Sequence, residues 1–185
     1  MSIAASSTFL MDMVGKSESE IKQLLQNRLE SDFEIRPDYP GLYLVDRKTK
    51  VIPDFLLKPR EYLLAKGFND SWIPLEVKEL KDDDNLSVRA AWQCITYAQS
   101  EFDGERPAFA LIFPPWNFFL KNGAECIQAH CIRPLALIAN VGELSFNKRN
   151  KWEIHAGGQR FFFSEEEGLG PQPQALLKRR VGTPK

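Results

Sequence analysis

Asp54, Glu76 and Lys78 are the residues whose types and spacing fit a reaction. They lie in Ile52-Pro53-Asp54 and Leu75-Glu76-Val77-Lys78, inside the apolar runs VIPDFLL (51–57) and WIPLEV (72–77). Both runs read as buried strands. Residues i and i+2 of a strand share a face, so Glu76 and Lys78 point one way while Leu75 and Val77 point into a core. An unpaired charge in such surroundings is costly unless a metal or a counter-charge meets it. Two carboxylates can hold one or two hard divalent ions that bridge to phosphate oxygens. A lysine beside them can orient or deprotonate water and neutralise charge building on the phosphate. The chemistry these three would serve is phosphodiester hydrolysis. The plain alternative is a partly buried Glu76–Lys78 or Asp54–Lys78 ion pair with no reaction attached.

The segment LSVRAAWQCITYAQS (86–100) has helical periodicity, with Leu86, Ala90, Ala91, Cys94, Ile95 and Ala98 as its apolar stripe. Arg89, Gln93 and Tyr97 fall at i, i+4 and i+8 on a neighbouring stripe. Taken together, Pro53-Asp54, Glu76-x-Lys78 and Gln93-x-x-x-Tyr97 resemble the PD-(D/E)xK nuclease superfamily, in particular its RecB-type branch with a QxxxY motif. The resemblance covers about residues 17–115. It implies a restriction-endonuclease-like α/β core, a mixed central β-sheet flanked by helices. It implies that Asp54, Glu76 and the main-chain carbonyl of Val77 bind Mg²⁺ or Mn²⁺, that Lys78 positions the water, and that Gln93 and Tyr97 hold the scissile strand. In that superfamily a helix before the first core strand often adds a glutamate to the metal site. Glu20 is the positional match, and a helix-capping role explains it equally well.

DNA is the implied substrate, with RNA, and the choice between endonuclease and exonuclease, left open. A protein partner or a homodimer is compatible with the same core. Lys81 and Arg89 are candidate nucleic-acid contacts, although an exposed surface arginine is an equal reading of Arg89. For Gln93 and Tyr97 the alternative is an ordinary amphipathic pair, Tyr97 half-buried and Gln93 solvated. A competing class of function is a non-catalytic nucleic-acid-binding or assembly module that keeps the fold. A third is a structural protein in which the motifs coincide.

Composition bounds the rest. The chain has 185 residues, 43% of them hydrophobic and 26% charged, as expected of one folded domain rather than a disordered or fibrous chain. No run of about eighteen apolar residues is present, so no transmembrane helix is expected. The segment MSIAASSTFLMDMV lacks a positive n-region and meets Asp12 early, which argues against a signal peptide and makes a cytoplasmic location the expectation. The three cysteines show no CxxC spacing and fit a reducing compartment. Cys126, His130 and Cys131 read as part of a strand rather than a zinc site. The net charge of −1 gives no dominant basic surface. Lys78, Lys81 and Arg89 near the site, 148–151 in a turn, and Lys178-Arg179-Arg180 are the local positive candidates.

These side chains need elements to carry them. SESEIKQLLQNRLE (17–30) reads as a helix with Ser17 as N-cap, Glu20 completing a capping box, and Ile21, Leu24, Leu25 and Leu29 as its apolar face. Strands are expected near Phe33–Ile35 and Gly41–Asp46 and at Asp54, then a loop or short helix at 59–70, then the Glu76 strand. Asp82-Asp83-Asp84-Asn85 suits a helix N-terminus with Asn85 as the cap. FALIFPP (109–115) is a further strand packing beside the Glu76 strand. Beyond it lie an extension at 116–167, with a hairpin across Gly157-Gly158, and a tail at 168–185. His155 reads as structural or exposed.

Overall fold

The computed structural model describes residues 8–81, 84–116, 135–156 and 159–163. The fold is mixed α/β. A seven-stranded sheet runs in the order β1 (Phe33–Pro37), β4 (Phe55–Pro59), β5 (Ile73–Val77), β7 (Ala110–Phe113), β8 (Val141–Phe146), β9 (Trp152–Ala156), β10 (Gln159–Phe163). β5–β7 and β7–β8 pair in parallel, and the remaining neighbours pair antiparallel. A small second sheet joins β3 (Lys50–Val51), β2 (Gly41–Tyr43) and β6 (Ser100–Glu101). The helices are α1 (Thr8–Met11), α2 (Glu18–Leu29), α3 (Glu61–Ala65) and α4 (Asp84–Ala98). None of the described helices is long and apolar enough to cross a membrane.

Alternation along the strands sorts the side chains into two cores, one on each face of the large sheet. Phe55, Leu57, Ile73, Leu75, Val77, Leu111, Phe113, Leu144, Trp152 and Ile154 fill one face with Leu10 and Met13 and with Ile21, Leu25 and Leu29 of α2. Leu56, Trp72, Ala110, Ile112 and Val141 fill the other with Ala90, Ala91, Cys94 and Tyr97 of α4. The i, i+4, i+8 row of α2 is thus its buried edge, while Ala90, Ala91 and Cys94 let α4 lie close on the sheet. Ser17 caps α2 in a full capping box with Glu20. The short β2–β3 ladder, in which Gly41 faces Val51, carries the chain into residues 52–54.

The structure differs from the sequence expectations at two places. Asp54 lies in a bend just ahead of β4 rather than within a strand. Pro53 has no N–H to offer a ladder, so pairing lapses there. α4 starts at Asp84, which puts Asn85 inside the helix instead of at its cap. Acidic residues suit the positive end of a helix dipole and allow the earlier start. The strand expected at 126–132, with Cys126, His130 and Cys131, lies outside the described residues, as does the tail with Lys178-Arg179-Arg180. β9 and β10 do pair as the two arms of an antiparallel hairpin.

Candidate active site

Asp54, Glu76, Lys78 and Tyr97 come together where β5 ends. Glu76 stands on the α4 side of the sheet, opposite in sense to Leu75 and Val77, which enter the α2-side core. Its side chain is only 3% exposed. Oε1 is paired with the ammonium of Lys78, two residues on. Oε2 accepts the hydroxyl proton of Tyr97 at 2.8 Å. That hydroxyl also lies 3.1 Å from the carbonyl oxygen of Ile52, so Tyr97 ties the Glu76 strand to the segment leading into Asp54. Burial first, then the charge of Glu76, pushes the phenol well above its ordinary range, which keeps it a proton donor.

Asp54 is held from the other layer. Its Oδ2 accepts the backbone N–H of Val77 at 2.6 Å. Its Oδ1 lies 2.5 Å from the ammonium of Lys22 on α2. Lys22 is also paired with Glu18 one turn earlier, at 3.0 Å. Burial works against the Lys22 charge, but Asp54 and Glu18 outweigh it and hold the ammonium protonated. The carboxyl of Glu76 is raised, first by burial and second by the negative charge of Asp54. Lys78 and Tyr97 oppose this without cancelling it. Two carboxylates therefore share one partly desolvated place, each paired with one ammonium, Asp54 with Lys22 and Glu76 with Lys78.

The chemistry of these donors is the observation against which a metal can be judged. The donors are carboxylate oxygens, the ligand type hard divalent ions prefer. Each already accepts one protein donor and keeps a second lone pair. Asp54 and Glu76 therefore suit a cation such as Mg²⁺ or Mn²⁺. Among the described residues, however, no three His, Cys, Asp or Glu side chains converge as a metal-binding group.

Other residues picked from the sequence are placed differently. Glu20 does not reach the site, because its carboxylate caps the Ser17 backbone N–H at 2.8 Å and is exposed. Val77 meets Asp54 through its amide. Along α4 burial grades from exposed Arg89 through half-buried Gln93 to Tyr97, 4% exposed, at the sheet. Lys81 is exposed and paired with Glu79, which Lys81 and a backbone hydrogen bond from Glu18 hold below its ordinary value. His155 is half-buried, with Nε2 3.0 Å from Glu153.

Two features escaped sequence reasoning. Lys22 sits in an i, i+4 pair with Glu18 that reads as an ordinary surface pair, and nothing local says that Asp54 lies beside it. Buried Glu143 accepts the Trp116 N–H at 3.0 Å. It continues a cross-strand row Glu76, Ile112, Glu143, His155 on the α4 side of the sheet. An acid inside the run VGELSF gives no such signal. Comparison of the chain with protein-family models, curated proteins and solved structures yields no match.

Proposed function

We propose that this chain is a metal-dependent nuclease of the PD-(D/E)xK type, hydrolysing phosphodiester bonds of DNA with Mg²⁺ or Mn²⁺. The observation that carries the reading is the meeting of Asp54, Glu76 and Lys78 at the end of β5, with Glu76 buried, paired with Lys78 and raised by burial and by the charge of Asp54. The element order supports a restriction-endonuclease-like core: helix α2, strands β1, β4 and β5, helix α4, then β7 parallel to β5. A bound divalent ion would supply charge neutralisation at the phosphate and a more acidic water. Asp54, Glu76 and the Val77 carbonyl would hold it. Lys78, released from Glu76, would orient the water and neutralise charge on the phosphate. Tyr97 fixes the Glu76 carboxylate, and Gln93, one turn earlier on α4, would meet the nucleic-acid backbone. Arg89 and Lys81, both exposed, would add phosphate contacts. A cytoplasmic setting in DNA processing, repair, recombination or mobile-element biology fits this activity.

A second reading is a nucleic-acid-binding or assembly module that keeps the fold without hydrolysis. It is favoured by one observation: all four carboxylate oxygens of Asp54 and Glu76 already have protein donors. Labelled single-stranded, duplex, branched and RNA substrates incubated with Mg²⁺ or Mn²⁺ separate the two. Cleavage by the wild type that vanishes in Lys78→Ala supports the nuclease. Binding without cleavage by the wild type supports the module.

A further inference from the structure

Lys22 is the cation closest to the outer oxygen of Asp54, and it comes from a helix that nothing in the nuclease reading uses for charge. The base of its side chain is fixed, since Ile21, Leu25 and Leu29 of the same helix are fully buried. Its head bridges two carboxylates: the side chain is 29% exposed and shared between Asp54 at 2.5 Å and Glu18 at 3.0 Å. Asp54 Oδ2 is committed to the Val77 N–H, so Oδ1 is the oxygen that faces exchangeable cations.

We propose that Lys22 is the resident counter-ion of the site, holding Asp54 Oδ1 in the cation-free protein and moving to Glu18 when a divalent ion takes that oxygen. The inference rests on the metal-site reading above. Oδ1 keeps a second lone pair, but like charges gathered on one oxygen repel in a partly desolvated pocket, so an ammonium 2.5 Å from Oδ1 and a divalent ion on the same oxygen compete. Glu18 makes the exchange inexpensive, because the lysine keeps a carboxylate partner on its own helix. A lysine suits this role, with a compact charge on a four-carbon stem whose rotation relocates it. The arrangement stabilises Asp54 while the cation is absent and lowers the affinity for that cation.

Calorimetric titration of Mn²⁺ into the full chain tests this without any turnover. Wild type, Lys22→Gln, Lys22→Met, Lys22→Arg and Asp54→Asn are compared, each first checked for native circular dichroism. Loss of the competing charge in Lys22→Gln and Lys22→Met is expected to lower the Mn²⁺ Kd by roughly two- to fivefold, the scale of one part-exposed charged contact. Lys22→Arg should stay near wild type and Asp54→Asn should lose binding. If Mn²⁺ binds wild type and the neutral Lys22 variants equally, or the variants more weakly, and Asp54→Asn still abolishes binding, the counter-ion role is overturned and the metal site stands. Binding that survives Asp54→Asn, or is absent from every variant, overturns the metal site and the counter-ion role together.

Discussion

The hydroxyl of Tyr97 donates to Glu76 Oε2 at 2.8 Å, joining the last turn of α4 to the last residues of β5. Both partners are buried, so removing the donor leaves a carboxylate oxygen without a partner rather than returning it to water. Tyr97→Phe should therefore cost about 1–3 kcal/mol, read as a fall of several degrees in Tm. The same change removes one of the contacts that lower the Glu76 pKa, so that carboxyl should titrate still higher. Chemical denaturation together with carboxyl-resolved NMR titration measures both. A variant as stable as wild type would mean that the pair is exposed or unformed in solution.

Glu76 also gives the fold a pH dependence whose sign can be worked out. Burial and the charge of Asp54 raise its carboxyl above the ordinary 4.5. The folded state thus binds this proton more tightly than the unfolded chain. That stabilisation is fully present below the unfolded value and is lost as pH rises through the raised folded value. Stability of the metal-free protein should decline over that window, and Glu76→Gln, which mimics the protonated carboxyl, should flatten the decline. Denaturant midpoints measured from pH 4 to 8 decide it. Parallel curves for wild type and variant would remove Glu76 as the source.

Asp54 is the part-exposed member of the carboxylate pair. Asp54→Asn preserves an oxygen for the Val77 N–H while discarding the charge that Lys22 and a metal would meet. Metal-dependent cleavage should disappear with the circular dichroism spectrum unchanged, and activity equal to wild type would sink the assignment of Asp54. Glu76→Gln should weaken Mg²⁺ binding by tenfold or more in calorimetry, about 1.4 kcal/mol. Unchanged binding would take Glu76 out of the site.

How much of this was legible in the chain depends on how local each signal is. Alternation puts Glu76 and Lys78 on one side and Leu75 and Val77 on the other: Leu75 and Val77 enter the α2-side core, and Lys78, one residue past β5, pairs with Glu76. Helical spacing likewise lines up Arg89, Gln93 and Tyr97, although it cannot say that burial increases along the row toward Tyr97. The capping box of α2 is a four-residue pattern and is present as read. The same pattern left both readings of Glu20 open, and the cap is the one the structure shows: a carboxylate satisfied at its own helix start does not reach the site. Lys22 and Glu143 were invisible for the opposite reason. Their partners, Asp54 and the Trp116 amide, lie over 25 residues away in sequence, across contacts that no local pattern encodes.

Gly41 ties the small sheet to the site. It pairs with Val51, three residues before Asp54, and a Cβ at this position would lie 2.4 Å from Cε1 of Phe102 and 2.8 Å from the carbonyl oxygen of Glu101. Phe102 is fully buried, so the ring has no room to retreat. Glycine here permits a close approach of strand to ring that any larger residue blocks. Gly41→Ala should cost about 1–3 kcal/mol through overpacking. Because Val51 leads directly into Ile52, whose carbonyl oxygen meets the Tyr97 hydroxyl, the strain should also reach the site. Mn²⁺ affinity should fall along with Tm, whereas a core change that leaves the β2–β3 ladder untouched, such as Trp152→Phe, should lower Tm alone. Loss of stability in Gly41→Ala with metal affinity intact would show that the β2–β3 ladder supports the fold without positioning Asp54.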